Sequence, residues 1–406
     1  MHKDGQVWIF DCGEGSQIQF QKSSLRPGRI AKIFITHLHG DHMFGLPGLL
    51  CTIGNAVQER PEFVLELYGP KGLRKFVRQS LSLSRSLLPY GYVVHELVPL
   101  SEQYPANWGE WNVDHDSTGP LHPQEKQGRD IVAGDGPSWD LLCDDGLCVK
   151  AGLLHHTIPS FGFVVTEADQ NGRLDVSKLR GLGVPTGPLY GKLKKGETVT
   201  LKSGTIIEPS QVLGPTKLGR KASILGDTRD PWSMAHLVKD SDVLLHEATM
   251  QNSLHDKAIE FGHSTPAMAA KFADCVGVKR LVLFHYSQRY KPVSKETSES
   301  ETTEILLKEA KDALPPTSAC EVIAAEDLME ISITRSAQDT DTSEFWALRK
   351  RRSGGGSQDA QQLLAVASPK CSTYSATKSN QLVGENIPQF VSLFSVLYNK
   401  GCPNPS

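Results

Sequence analysis

From Val7 to about Ile333, short apolar strands alternate with amphipathic helices, and this alternation predicts an α/β fold. Two further observations agree with it. The chain has 406 residues and 39% apolar content, enough for one large domain or two smaller ones with a sizeable core. Helix starts carry capping chemistry, as at Ser264 and Thr265, which are N-cap candidates directly ahead of Pro266.

In chain order the strands are "VWIFDCG", "RIAKIFITH", "VLELYGP", "YVVHELV", "GLCVKAGLLHH", "FGFVVTE", "ASILGDT", "DVLLHEAT" and "KRLVLFHYS". Each is an apolar, largely β-branched or aromatic run closed by glycine, proline or polar residues. Helices are expected over Gly45 to Val57, Gly72 to Leu83, Pro266 to Val276 and Glu301 to Ala313.

Three segments interrupt the rhythm. Ser101 to Gly146 is polar and rich in Gly, Pro and Asp, and reads as a long surface insertion. Lys178 to Lys221 is punctuated by Gly and Pro and carries nine Lys/Arg against two Glu. From about Ser336 onward, "RKRRSGGGSQDAQQ" and the Ser/Asn/Gln-rich stretch after it read as a disordered tail, residues 336–406. Its "LRKRR" is read as a solvated charge cluster rather than a nuclear address.

The net charge of -3 gives no sign of a polyanion partner. No apolar run reaches the roughly 20 residues that span a bilayer. The N-terminus begins a strand almost at once, so neither signal nor transit peptide is expected. Little chain precedes "VWIFDCG", and an exposed edge on that strand is anticipated. The eight cysteines lack paired spacing. Cys143 and Cys148 have no second pair to complete a zinc knuckle, and a disulfide framework is not expected. A reducing compartment follows.

"FITHLHGDHMFGLPG" concentrates chemistry. His37, His39, Asp41 and His42 fall within six positions, bounded by Gly40 and Gly45. "KIFIT" before them is a buried strand, so the group lies in a loop at a strand's carboxyl end, where open α/β sheets hold ligands. Two imidazoles two residues apart can face one metal while Asp41 and His42 turn toward a second. More ligands must come from elsewhere, because zinc takes about four. Three other strand ends offer them: His155 or His156, Asp227, and His285. Glu247, His246 and His263 share that address, and a His–Glu pair there is suited to protonating a leaving alkoxide.

With these residues in hand, the chain resembles the metallo-β-lactamase-fold hydrolases and, more closely, ribonuclease Z, the tRNA 3′-processing endonucleases of the short form. The resemblance covers about residues 5 to 333 and rests on "IFDCGEGSQIQ", "THLHGDHMFGLPGLL", "HTIPSFGF", "LGDTR", "LLHEAT", "GHSTP" and "FHYSQRY". It implies an αββα sandwich, two mixed sheets flanked by helices, over residues 1–335. About 25 residues of the family pattern, two strands ahead of "VWIFDCG", are not found. "GLGVPTGPLYGKLKKGETVTL" is similar to the family's flexible tRNA-binding arm, placed at 170–220, with Gly187, Pro188, Tyr190, Lys192, Lys194 and Lys195 at its tip.

The resemblance further implies two Zn2+ per subunit. His37, His39 and His156 would hold one; Asp41, His42 and His285 the other; Asp227 would bridge. Asp41 would serve as general base and His263, with Glu247, as the acid; Phe161 and Gly162 would lie in a segment lining the site. The implied activity is endonucleolytic removal of the 3′ trailer from precursor tRNA by a homodimer without a membrane partner. Cytoplasm or nucleus is the expected location, with chloroplast and mitochondrion left open. The competing readings are a thioesterase or small phosphodiesterase on the same fold, and an inactive RNA-binding form.

Overall fold

Successive side chains leave a strand on opposite faces, so "VWIF" must send Trp8 and Phe10 one way and Val7 and Ile9 the other. The structure, a computed structural model, describes residues 6–57, 62–144, 146–291 and 302–334, with the backbone of Leu363–Ala367 and Leu393–Tyr398. In it Trp8 and Phe10 enter a core lying between two sheets, whereas Val7 and Ile9 face helices.

In the first sheet β1 (Gln6–Cys12), β2 (Ile30–Phe34), β3 (Val64–Pro70) and β4 (Gly91–Leu97) run parallel. Two short strands, β5 (Glu125–Lys126) and β6 (Asp130–Ile131), extend β4. The second sheet starts with the antiparallel strands β7 (Ser138–Asp144), β8 (Leu147–Leu154) and β9 (Ser160–Glu167). After a small hairpin of β10 (Val199–Thr200) and β11 (Ile206–Ile207), it continues through β12 (Lys221–Ile224), β13 (Val243–Glu247), β14 (Arg280–Phe284) and β15 (Glu321–Ala324), in the spatial order β15-β14-β13-β12-β9-β8-β7.

Phe34 holds the sheets together: its ring stacks 4.7 Å from Phe10 and meets Phe163 of the other sheet at 5.4 Å. On the outer face of the first sheet, helix Leu46–Ala56 buries Leu46, Leu49, Leu50 and Ile53, the spacing of one helical stripe. Helix Pro266–Cys275 covers the second sheet with Ala269, Phe272 and Ala273. Helix, sheet, sheet and helix are thus layered as the αββα reading requires.

Several expectations need correction. The 101–146 segment is not all surface. "SWDLLCD" alternates with period two, and as β7 it buries Trp139 and Leu141 between the sheets. Cys143 and Cys148 are directly opposed across β7 and β8 and form a disulfide with Cα atoms 4.1 Å apart, so the cysteines are not all free. The 170–220 segment, expected as a flexible arm, forms a lobe that carries a small core of its own, made of Leu179, Val184, Leu193, Val199, Ile207 and Val212.

Nor is the outer edge of β1 exposed. β18 (Leu393–Tyr398) pairs antiparallel with it, β17 (Leu363–Ala367) joins β18, and β16 (Met329–Ser332) ends the sheet. Two segments of the region read as a disordered tail are therefore strands, because unpaired N–H and C=O groups of an edge are satisfied by any extended chain in reach. "LRKRR" lies outside the described residues. Among those residues, no helix is long and apolar enough to cross a membrane.

Candidate metal centre

β2 runs into Thr36, and there the chain must leave the sheet to present "HLHGDH". Asp11, at the end of the adjacent β1, fixes that exit. It accepts from the Thr36 amide at 2.7 Å and from the Thr36 hydroxyl at 2.8 Å. Asp11 adopts a left-handed φ of 58°, a costly conformation for a residue with a side chain and one that clusters at functional sites. Gly45 closes the loop: a Cβ there would lie 2.0 Å from the Gly13 carbonyl oxygen.

Strand direction gathers the remaining donors. β8, β12, β13 and β14 point the same way, so His156, Asp227, Glu247 and His285 emerge on one rim opposite the loop. Of the two histidines that follow β8, His156, the one the resemblance implied, turns to the cluster. Its Nδ1 donates to the Gly262 carbonyl at 2.7 Å, leaving the Nε2 lone pair 3.1 Å from His39 Nδ1. His37 Nε2 approaches the same His39 nitrogen at 3.1 Å. Three imidazole nitrogens therefore converge.

A second group stands beside the first. His42 Nε2 and His285 Nε2 are 3.2 Å apart, and Asp41 Oδ2 lies 3.6 Å from each. Asp11 Oδ2 lies 2.8 Å from His42 Nδ1. An ionised carboxylate only accepts, so the proton sits on Nδ1 and Nε2 is turned toward the group. Asp227 Oδ2 joins the two clusters, at 3.3 Å from His285, 3.5 Å from His42 and 3.8 Å from His37. Its other oxygen, Oδ1, is buried without a hydrogen-bond partner among the described residues.

The electrostatics suit a cation. Burial drives the His37 imidazole well below its ordinary pKa, and burial takes His156 down to about 3, so both offer lone pairs. Burial alone would raise Asp227, but His285, His42 and His37 outweigh it and keep the carboxylate ionised. Burial likewise opposes ionisation of Asp41, and the His285 hydrogen bond with the nearby imidazoles overcomes it. Imidazole nitrogens with ionised carboxylates, one oxygen of them orphaned, form the donor set that a divalent ion such as zinc takes. Against its burial, the Asp227 and Asp11 carboxylates hold His42 well above its ordinary pKa and mark the same spot as one that favours positive charge. The residues fit the metal that the sequence implied.

His263 stands beside Asp227 and Glu247. Its Nδ1 lies 3.2 Å from Glu247 Oε1 and 3.7 Å from Asp227 Oδ2. Burial opposes its charge, yet the Glu247 and Asp227 carboxylates lift its pKa to about 9. Glu247 is held in turn by the Thr228 amide at 2.7 Å and the Thr249 hydroxyl at 2.5 Å. His246 does not take part. On β13 it has the parity of Leu244, so it faces the outer helix layer near Phe272, while Glu247 follows Leu245 inward. Phe161 and Gly162 also lie behind the donors. Phe161 is in the core between the sheets and its amide donates to the Thr36 carbonyl at 3.0 Å, and Gly162 abuts Met234.

Asp11, Thr36 and Thr249 are site residues that sequence reasoning missed. The signal for Asp11 was present, since "IFDCG" puts it at a strand's carboxyl end, the address used to find the others. Asp11→Asn is expected to present an amide to His42, disturb its tautomer and orientation, and weaken metal binding by ~10–100-fold. Metal titration of the folded variant checks this, and unchanged affinity would exclude an orienting role for Asp11.

Of the arm residues, Gly187, Pro188, Lys192 and Lys195 are exposed on the lobe and Tyr190 is half-buried. Lys194 is committed elsewhere. Its ammonium donates to the carbonyls of Asn171 and Gly172 at 2.9 and 2.6 Å, clipping the lobe's neck.

Two packed sheets with helices outside, and a histidine–aspartate cluster on the rim they share, define a hydrolase of the metallo-β-lactamase fold. Residues 1–89 match the family described as anti-Pycsar protein Apyc1. Zinc phosphodiesterase ELAC protein 1 of Bos taurus is 49% identical over 338 residues, covering 81% of this chain and 91% of that protein. Ribonuclease Z of Nostoc punctiforme is 38% identical over 315 residues, covering 77% and 83%. The crystal structure of human tRNase Z, short form, is 40% identical with a TM-score of 0.50, covering 71% of this chain and 85% of that one. The chain belongs to the ribonuclease Z family.

Proposed function

We propose that the chain is a zinc-dependent endoribonuclease that removes the 3′ trailer from precursor tRNA. The observation that carries this is the convergence of His37, His39, Asp41, His42, His156, Asp227 and His285 beside the His263–Glu247 pair, in a chain 49% identical to a zinc phosphodiesterase. His37, His39 and His156 would hold one zinc, Asp41, His42 and His285 a second, with Asp227 between them. Bound zinc acidifies water to a pKa of about 7 and offsets phosphate charge.

The chain's own residues supply the rest. Asp41, ionised and facing the rim, takes the proton of the attacking water. The new P–O bond forms as the bond from phosphorus to the 3′ oxygen breaks. His263, charged and held by Glu247, gives its proton to that departing oxygen. The products are a 3′-hydroxyl on the tRNA and a 5′-phosphate on the trailer. Cleavage of a radiolabelled pre-tRNA by the zinc-loaded protein, with end-group analysis, tests the assignment. A trailer bearing a 5′-hydroxyl, or no cleavage at all, would refute it.

We assign the folded lobe to the tRNA body, contacted through phosphates by Lys192 and Lys195 rather than Lys194. Phosphate contacts give affinity and register without reading sequence. In the proposed homodimer the lobe of one subunit serves its partner's site. Replacing Lys192 and Lys195 together by Ala is expected to weaken pre-tRNA binding and flatten the slope of log K on log salt by roughly 1 per lysine. Hydrolysis of bis-p-nitrophenyl phosphate should not change. Equal losses on both substrates would mean that the lobe acts on the site's integrity instead.

A further inference from the structure

The metal-binding loops have a neighbour that their chemistry does not require. A cavity of about 270 Å³ opens between them and the segment that follows β4. Leu38, set between His37 and His39, and Ile158 with Pro159, just past His156, form one side of it. Tyr104, Trp108 and His115 form the other. The Trp108 indole is half-buried and held in place, stacked on His115 with centroids 5.0 Å apart and flanked by Tyr104 at 5.1 Å. None of these three rings belongs to a hydrophobic core of the protein.

The joint behind the cavity is closely fitted. Gly72 has φ +106°, and a Cβ there would come within 3.0 Å of His115 and 3.1 Å of Leu38. The rim does not repel a polyanion, because its carboxylates are matched. Asp116 lies 2.7 Å from Lys71, and Asp114 lies 2.6 Å from Lys75. Pockets that enclose drug-sized ligands run to roughly 300–1,000 Å³, so this one suits a single heterocycle. Flat aromatic walls at the edge of a phosphodiester-cleaving site are the surfaces on which unpaired bases stack.

We propose that this cavity is a nucleobase subsite, in which Trp108 stacks the unpaired base of a nucleotide adjoining the scissile phosphate. The proposal rests on the ribonuclease reading and adds a residue that positions the substrate. Two nucleotides could supply the base: the last of the tRNA body and the first of the trailer. A stacked base would align the phosphate with the donors and would explain why a polar insertion is folded against the metal loop.

The test uses the zinc-loaded full chain and a pre-tRNA whose cleaved ester is replaced by a 3′-methylene phosphonate. A fluorescent 2-aminopurine is placed at one or the other flanking position. Stacking should quench the probe at one position, identifying which nucleotide enters. The quench should persist in Trp108→Phe and vanish in Trp108→Ala. On cleavable pre-tRNA, Trp108→Ala should lose roughly 5- to 100-fold in kcat/KM, the range expected for one base–aromatic stack. The same variant should lose little on a substrate abasic at the identified position. Absence of quenching at both positions, or equal losses on intact and abasic substrates, would overturn the subsite. Wild-type cleavage without quenching sinks the subsite alone, whereas quenching without wild-type cleavage sinks the nuclease reading alone.

Discussion

Asp227→Ala is expected to lose both metal and cleavage. Among the described residues, Asp227 is the one side chain placed between both nitrogen clusters, with one oxygen facing three imidazoles and the other buried without a hydrogen-bond partner. Without it, the buried imidazoles face one another with nothing to draw two divalent ions together. The loss should exceed the ~10–100-fold in affinity that outer partners of metal ligands command. Metal analysis after dialysis, alongside thermal unfolding to confirm a folded chain, measures it. A folded Asp227→Ala protein with its full metal complement would remove Asp227 from the ligand set.

His263→Ala is expected to behave differently. Its Nδ1 faces the carboxylates of Glu247 and Asp227 rather than the three-nitrogen cluster, so the metals should stay. Cleavage should fall by ~10²–10⁴-fold, the usual worth of a positioned proton donor, which is about 3–5 kcal/mol of transition-state stabilisation. A phosphodiester with a much better leaving group than a ribose 3′-oxygen should be nearly unaffected, because such a group departs without a proton. If metal content fell as far as in Asp227→Ala, His263 would be a ligand and the acid role would be lost. The geometry makes this a real alternative, since His156, Asp227 and His263 also cluster closely enough to hold an ion.

Much of this architecture was readable along the chain. Strands such as "VLELYGP" and "FGFVVTE" appear within one residue of their expected bounds. Four donor-type residues in six, following a buried strand, could hardly be anything but a site. Other elements were hidden for identifiable reasons. β7 sits amid Gly, Pro and Asp, and their weight concealed its period-two alternation. Asp11 was passed over because its role lies in what it orients. Lys194 reads as one more cation until its carbonyl partners are seen.

The sequence by itself determined the class of fold, the kind of donors and the four strand ends from which they could project, because those depend on local pattern and residue chemistry. Tertiary structure decided which donors meet. His42 and His285 stand 243 positions apart, yet their nitrogens come within 3.2 Å. It also separated His246 from Glu247, tied the exposed Lys194 to two carbonyls at the lobe's neck, and closed the edge of β1 with chain from beyond residue 390. Such outcomes follow from how two sheets pack face to face and from strand parity at that packing, and neighbours along the chain carry no record of either.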